Sequence, residues 1–141
     1  MIGLPDFPEL SMQFHHIGMA CHNLDTETKH FASLGYQIEG DDFTDPIQGV
    51  HGRFLAGQFP RLELLVPMNT EESVLSPYLK SKIKMYHLAY ETPDIEQSIQ
   101  QLMSCRAKLV VKPIPAIAFK ERHIAFIMLP NMLLIELISI T

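Results

Sequence analysis

Residues 16–31 read HIGMACHNLDTETKHF, and residues 87–102 read HLAYETPDIEQSIQQL. Laid over one another they align without a gap: His16 meets His87, Ile17 meets Leu88, Asn23 meets Asp94, Leu24 meets Ile95 and Phe31 meets Leu102. Each copy opens with β-forming residues and changes to helical spacing behind an Asn or Asp, residue types that cap helix N-termini. Further on, RLELLV at 61–66 overlays LIELIS at 134–139, bringing Glu63 onto Glu136 with an offset two residues larger. Self-similarity of this kind marks a duplicated unit.

Working outward, strand-like segments occur at 14–21, 50–57, 61–67, 85–92, 107–113, 123–129 and 132–139, each rich in β-formers and bounded by turn residues. Helical patterns run over 23–35 and 94–105, and a short one over 73–82 has Pro77 suited to a first turn. The unit is therefore a strand, a helix and about three strands. Module one covers about 13–67, module two about 85–140, and residues 68–84 connect them. The expected fold is a single α+β domain over 1–141.

A chain of 141 residues can bury a core unaided. The net charge of −5 provides no basic field for nucleic acid or anionic lipid. The longest uncharged stretch, 123–135, is too short to span a bilayer and is interrupted by Pro130 and Asn131. The N-terminal residues 1–13 lack the basic region of a signal peptide. Cys21 and Cys105 are too few for a disulfide scaffold and read as reduced core thiols, which gives a cytoplasmic protein as the expectation.

Two residues conflict with their surroundings. Glu63 lies among leucines, and Glu136 lies within NMLLIELISIT at 131–141. A single Glu in an apolar strand more often points outward, and a single strand His is usually a packed residue. Symmetry shifts that balance, because the repeat supplies two of each at equivalent positions. An ionised carboxylate among leucines costs several kcal/mol unless paired or metal-bound. His16, Glu63, His87 and Glu136 thus form a candidate divalent-metal site, with nickel, cobalt or zinc the foremost ions and manganese or iron also compatible.

The blocks HHIGMAC, LELLVPMNTEESVLSPYL, YHLAYETPDIEQSI and KERHIAFIMLPNMLLIELI resemble the vicinal oxygen chelate superfamily, and within it glyoxalase I and methylmalonyl-CoA epimerase. The resemblance runs from about Phe14 to Leu137. It implies paired βαβββ modules forming a cup around one metal, commonly in a homodimer. It also implies His16, Glu63, His87 and Glu136 as ligands. The substrate would be a small thiol adduct or an acyl-CoA.

Glutamate at position 63 is similar to bacterial glyoxalase I, whereas epimerases usually have Gln there. Gly52, aligned from QGV at 48–50, stands where epimerases carry a second acid. Other blocks look epimerase-like. The leading expectation is a lyase/isomerase of glyoxalase I type, with Glu136 moving the proton and Glu63 able to serve the opposite face. An acyl-CoA epimerase is the alternative, and a metal-free binding or resistance protein a further one. Arg53, Lys120 and Arg122 are candidate contacts to a substrate carboxylate or phosphate; for Lys120 and Arg122 an exposed charge cluster at a hairpin turn is the favoured reading, and Arg53 reads equally well as a solvated strand residue. His15 should face away from His16 by strand alternation. His22, His30, His51 and His123 show no symmetric partner histidine, and no glycine-rich nucleotide motif is present.

Overall fold

A computed structural model describes residues 11–69 and 72–141. The expectation about a signal peptide concerns residues 1–13, of which 1–10 lie outside the described residues; Thr70 and Glu71 of the connection lie outside them too.

The elements follow the duplicated order. Module one comprises β1 (Gln13–Ala20), α1 (Leu24–Ala32), β2 (Gln37–Asp45), β3 (Val50–Ala56) and β4 (Leu62–Pro67). A short α2 (Ser76–Lys80), with Pro77 in its first turn, stands in the connection. Module two comprises β5 (Met85–Thr92), α3 (Ile95–Ser104), β6 (Lys108–Pro115), a 3-10 turn at Ile117–Phe119, β7 (His123–Met128) and β8 (Leu134–Ser139). The equivalent residues Asn23 and Asp94 both cap helices: the Asn23 carboxamide accepts from the Thr26 N–H at 2.9 Å, and the Asp94 carboxylate from the Gln97 N–H at 3.1 Å.

All eight strands form one sheet in the order β2-β3-β4-β1-β5-β8-β7-β6. Within each module the first strand lies parallel to the last, β1 beside β4 and β5 beside β8. The modules join where β1 and β5 pair antiparallel, so a pseudo-twofold axis passes between them. The sequence pattern does not predict β2. Its QIEGDDFTD is acidic and mostly exposed, and pairing with β3 rather than intrinsic propensity makes it a strand.

Both faces of the central strands are covered. Leu62 and Leu64 face the α1 side with Leu24 and Phe31, while Ile135 and Leu137 face the α3 side with Ile99. The other face carries a third cluster that includes Leu65, Tyr86, Ala89, Phe119, Phe126, Leu134 and Ile138. A sheet buried on both faces reads as continuous apolar sequence. Glu63 and Glu136, each between two helix-facing residues, therefore point into the cup. Cys21 is fully buried, and burial aided by Glu27 pushes its thiol up to about 11. Cys105 is only partly covered.

Candidate metal centre

Four side chains from the four central strands meet in the cup. His16 comes from β1, Glu63 from β4, His87 from β5 and Glu136 from β8, and their ligand atoms all lie within 4.8 Å of one another. None is more than 4% exposed, so bulk water cannot compensate their charge. His16 Nε2 lies 3.1 Å from His87 Nε2. It lies 3.2 Å from Glu63 Oε1 and 3.3 Å from Glu136 Oε1. His87 Nε2 lies 3.4 and 3.3 Å from the same two oxygens.

These separations test whether the residues suit an ion. Adjacent donors bound at about 2.0–2.2 Å to one ion stand roughly 2.8–3.6 Å apart, from right-angled to tetrahedral arrangements. The five measured separations fall inside that range. Among the described residues Glu136 Oε1 is moreover buried without an aligned hydrogen-bond partner despite its short distances to both imidazoles. Two carboxylates and two imidazoles, sealed in and aimed at one point, fit a single divalent cation.

Without an ion the four groups compensate one another. Burial pulls the His16 imidazole down, but Glu63 and Glu136 outweigh it and raise it to about 9. Burial pushes Glu63 up, and His16 with His87 outweighs that, holding it at about 2. His87 is raised against its burial chiefly by Glu136, and Glu136 is lowered against its burial chiefly by His87.

Backbone irregularities build the neighbourhood. Phe14 pairs with Tyr90 and His16 with Ala89, so His15 is an extra residue bulged from β1. The bulge overturns the expected alternation: His15 lies beside His16, with the two Nδ1 atoms 2.7 Å apart. Gly18 pairs with His87 and Met19 with Met85, which makes Tyr86 the extra residue of β5. His15 and Tyr86 are equivalent in the repeat, each preceding a donor histidine. Burial, assisted by His16 and Arg61, lowers His15 to about 4, and a neutral His15 ring can accept the His16 Nδ1–H in the tautomer that keeps its own proton on Nε2. Tyr86 offers no such bond, and His87 Nδ1 has no partner among the described residues.

Aromatic rings seal the cluster with the same symmetry. Phe54 stands opposite Glu63 and packs on His16 at 5.4 Å; Phe126 stands opposite Glu136 and packs on His87 at 5.4 Å. HGRF at 51–54 and HIAF at 123–126 carry this equivalence in the sequence, so His51 and His123 are symmetric partners after all. Neither reaches the donors: His51 bonds Thr44 at 2.7 Å, and His123 is exposed. Two glycines leave room for rings. A Cβ on Gly18 would lie 2.3 Å from the His87 ring, and one on Gly52 would lie 2.1 Å from the Phe43 ring.

The other candidates stand apart from the donors. Arg53 alternates with Phe54, so it emerges on the α1 side, where it bonds Asp42 through two nitrogens at 2.7 and 2.8 Å, Asp25 at 2.9 Å and Thr28 at 3.0 Å. The fold does not bring it to the cup. Arg122 bonds Glu91 at 3.0 Å and the Ser139 carbonyl at 3.1 Å, with its guanidinium 5.7 Å from the Phe119 ring centre. Lys120 follows the 3-10 turn in a left-handed conformation, φ 54°. Both line an open groove that also includes His15 and Phe54. Among the described residues no helix is long and apolar enough to cross a membrane.

Residues 15–126 match the profile of the Glyoxalase/Bleomycin resistance protein/Dioxygenase superfamily. None of the curated proteins matches the chain. Among solved structures, a hypothetical protein from Bacillus halodurans C-125 is 26% identical, with a TM-score of 0.77 over 93% of this chain and 96% of that one. Methylmalonyl-CoA epimerase from Mycobacterium tuberculosis is 24% identical, with a TM-score of 0.75 over 89% of this chain and 86% of that one. A variant of the Streptomyces coelicolor methylmalonyl-CoA epimerase, in complex with 2-nitronate-propionyl-CoA, is 23% identical, with a TM-score of 0.77 over 93% and 98%. At these identities the two epimerases share the fold with this chain. The matched profile spans most of the sequence, and the chain belongs to the Glyoxalase/Bleomycin resistance protein/Dioxygenase superfamily.

Proposed function

We propose that the protein is a divalent-metal-dependent isomerase or lyase that moves a proton at the carbon beside a carbonyl of a small thioester or thiol adduct. The observation that carries this reading is the sealed cluster of His16, Glu63, His87 and Glu136 at metal-ligand spacing. These four residues would hold the ion, with nickel, cobalt or zinc the foremost candidates. When bound, the ion supplies a Lewis acid that lowers the cost of negative charge on a substrate oxygen.

The chain's residues do the rest. Glu136 takes the proton from carbon. The electron pair left behind delocalises onto the neighbouring carbonyl, as an enediolate from a hemithioacetal or an enolate from a thioester. Glu63 stands symmetrically across the cluster and reaches the opposite face. Phe54 and Phe126 exclude water that would quench the carbanion or screen the charges.

Two reactions use this step. Delivery of the proton to the adjacent carbon converts a hemithioacetal to a 2-hydroxyacyl thiol, the glyoxalase I reaction; Phe43 against Gly52, in place of a third acid, favours it. Return of a proton to the opposite face of the same carbon is epimerisation of an acyl-CoA. The fold shared with methylmalonyl-CoA epimerases favours it more.

The test measures metal content, turnover of the methylglyoxal–glutathione adduct and deuterium uptake into methylmalonyl-CoA on one preparation. Glu136→Gln is expected to lose whichever activity is present by at least a thousandfold. Full activity in that variant, or full activity in metal-free protein, overturns the reading.

A further inference from the structure

Two spaces open beside the rings that cover the donor cluster, one at Phe54 and one at Phe126, and the pseudo-twofold that exchanges His16 with His87 exchanges them as well. Beside His15 and Phe54 lies the groove of about 530 Å3, whose walls carry Arg61, Lys120 and Arg122 together with Glu39, Asp41 and Asp42. Beside Tyr86 and Phe126 lies a chamber of about 340 Å3, and among the described residues none that lines it is charged. His15 corresponds to Tyr86 and Phe54 to Phe126, so the two spaces occupy the same place in the duplicated unit. Their chemistry is opposite.

We propose that the chamber receives an apolar acyl group of the substrate, larger than methyl, while the reacting carbon sits at the donor cluster. The inference rests on the proton-transfer reading above and adds the substrate class. Placement supports it first. On β8, Leu134 is two residues from Glu136 and on the same face; on β7, Phe126 pairs with Glu136 and Met128 with Leu134. The chamber floor, made by Leu134, Phe126 and Met128, therefore begins one pleat from the proposed base.

Size and chemistry agree. About 340 Å3 is roughly eleven times the share of one water molecule in the liquid, so a methyl group would leave most of it unfilled. Among the described residues of the lining, polar side-chain groups are confined to Tyr78, Tyr86 and Gln48, and the Gln48 amide already donates to Asp45 at 2.8 Å. An arm rich in amides would find too few partners here. At the mouth Ile47, Val74 and Val110 are 65%, 53% and 54% exposed. Three large aliphatic side chains round one opening make a local apolar patch of the kind that marks binding surfaces.

The test titrates straight-chain hydroxamates of two to eight carbons, which present a vicinal pair of oxygens, into metal-loaded protein whose metal content is determined on the same sample. The dissociation constant is expected to fall about three- to fourfold per methylene until the chamber is full. Val110→Trp and, from across the mouth, Ile47→Trp should each flatten the series. Since the chain contains no tryptophan, the introduced indole reports both folding and occupancy by its fluorescence. A flat series on unmodified protein that carries metal and binds the two-carbon hydroxamate overturns the chamber and leaves the proton-transfer reading standing. Protein that takes up no metal and binds no hydroxamate overturns both.

Discussion

His15 Nδ1 lies 2.7 Å from His16 Nδ1, and this contact fixes which nitrogen of His16 faces the cluster. An imidazole that ligates through Nε2 keeps its proton on Nδ1, and that proton needs an acceptor. Neutral His15 supplies one. Replacing His15 by Phe, which keeps the ring and removes the acceptor, is expected to weaken metal binding about 10- to 100-fold, while His15→Asn recovers part of the loss. Competition against a chelator of known affinity checks this. Equal affinities in all three proteins would show that His15 does not orient its neighbour.

A Cβ at position 18 has no room, because it would stand 2.3 Å from the His87 ring. Ala89 occupies the equivalent place in module two and is fully buried without such a conflict. Gly18→Ala should displace the imidazole and cost about 1–3 kcal/mol, as overpacking does. The expected outcome is a lowered melting temperature together with loss of bound metal. Ala89→Gly should destabilise by a smaller amount and retain the ion. Retention of full metal content by Gly18→Ala would refute the account of how His87 is seated.

The donor set is legible in the sequence because each member conflicts with its context in the same way twice. Glu63 and Glu136 sit between residues that face the helices, and only duplication distinguishes that pattern from two outward-facing side chains. His15 is not legible by the same logic. A bulge shifts strand parity by one residue, and nothing in FHHIGMAC encodes where it falls. Strand β2 is hidden because its order comes from β3 rather than from its own polar, acidic residues. Arg53 misleads for the opposite reason: alternation with Phe54 decides its side, but the partners that explain it, Asp25 and Asp42, are remote in sequence.

Removal of metal should make stability depend on pH in a defined direction. His16 is raised from 6.5 to about 9, so its contribution is complete below pH 6.5 and lost as pH rises towards 9. Glu63 is lowered from 4.5 to about 2, so its contribution is present above pH 4.5 and lost as pH falls towards 2. Chelator-stripped protein should therefore gain most from the cluster between about pH 4.5 and 6.5. A bound cation replaces the imidazolium protons, so metal affinity rises with pH. Melting curves of loaded and stripped protein should diverge between pH 6.5 and 9. Convergence over that interval would contradict the compensation described for the metal-free site.

Arg53 separates structural charge from substrate recognition. Its guanidinium ties the α1 residues Asp25 and Thr28 to Asp42 of β2, and it leaves the sheet on the face away from the donors. Asp25 and Asp42 are 81% and 47% exposed as side chains, so water screens both ion pairs and each contributes modestly. Arg53→Met keeps the aliphatic stem and should lower stability by about 1 kcal/mol, leaving metal content and hydroxamate affinity unchanged. Arg122→Met provides the contrast, because Arg122 lines the charged groove beside His15 and Phe54. That variant should lower affinity for anionic thiol adducts at least fivefold while metal content holds. If Arg53→Met instead raised the Michaelis constant at unchanged stability, the guanidinium would have to leave Asp42 and swing round the sheet edge during turnover. The two bonds to Asp42 and the contacts to α1 oppose that movement, which makes the substitution a sharp test of which face of the sheet meets the substrate.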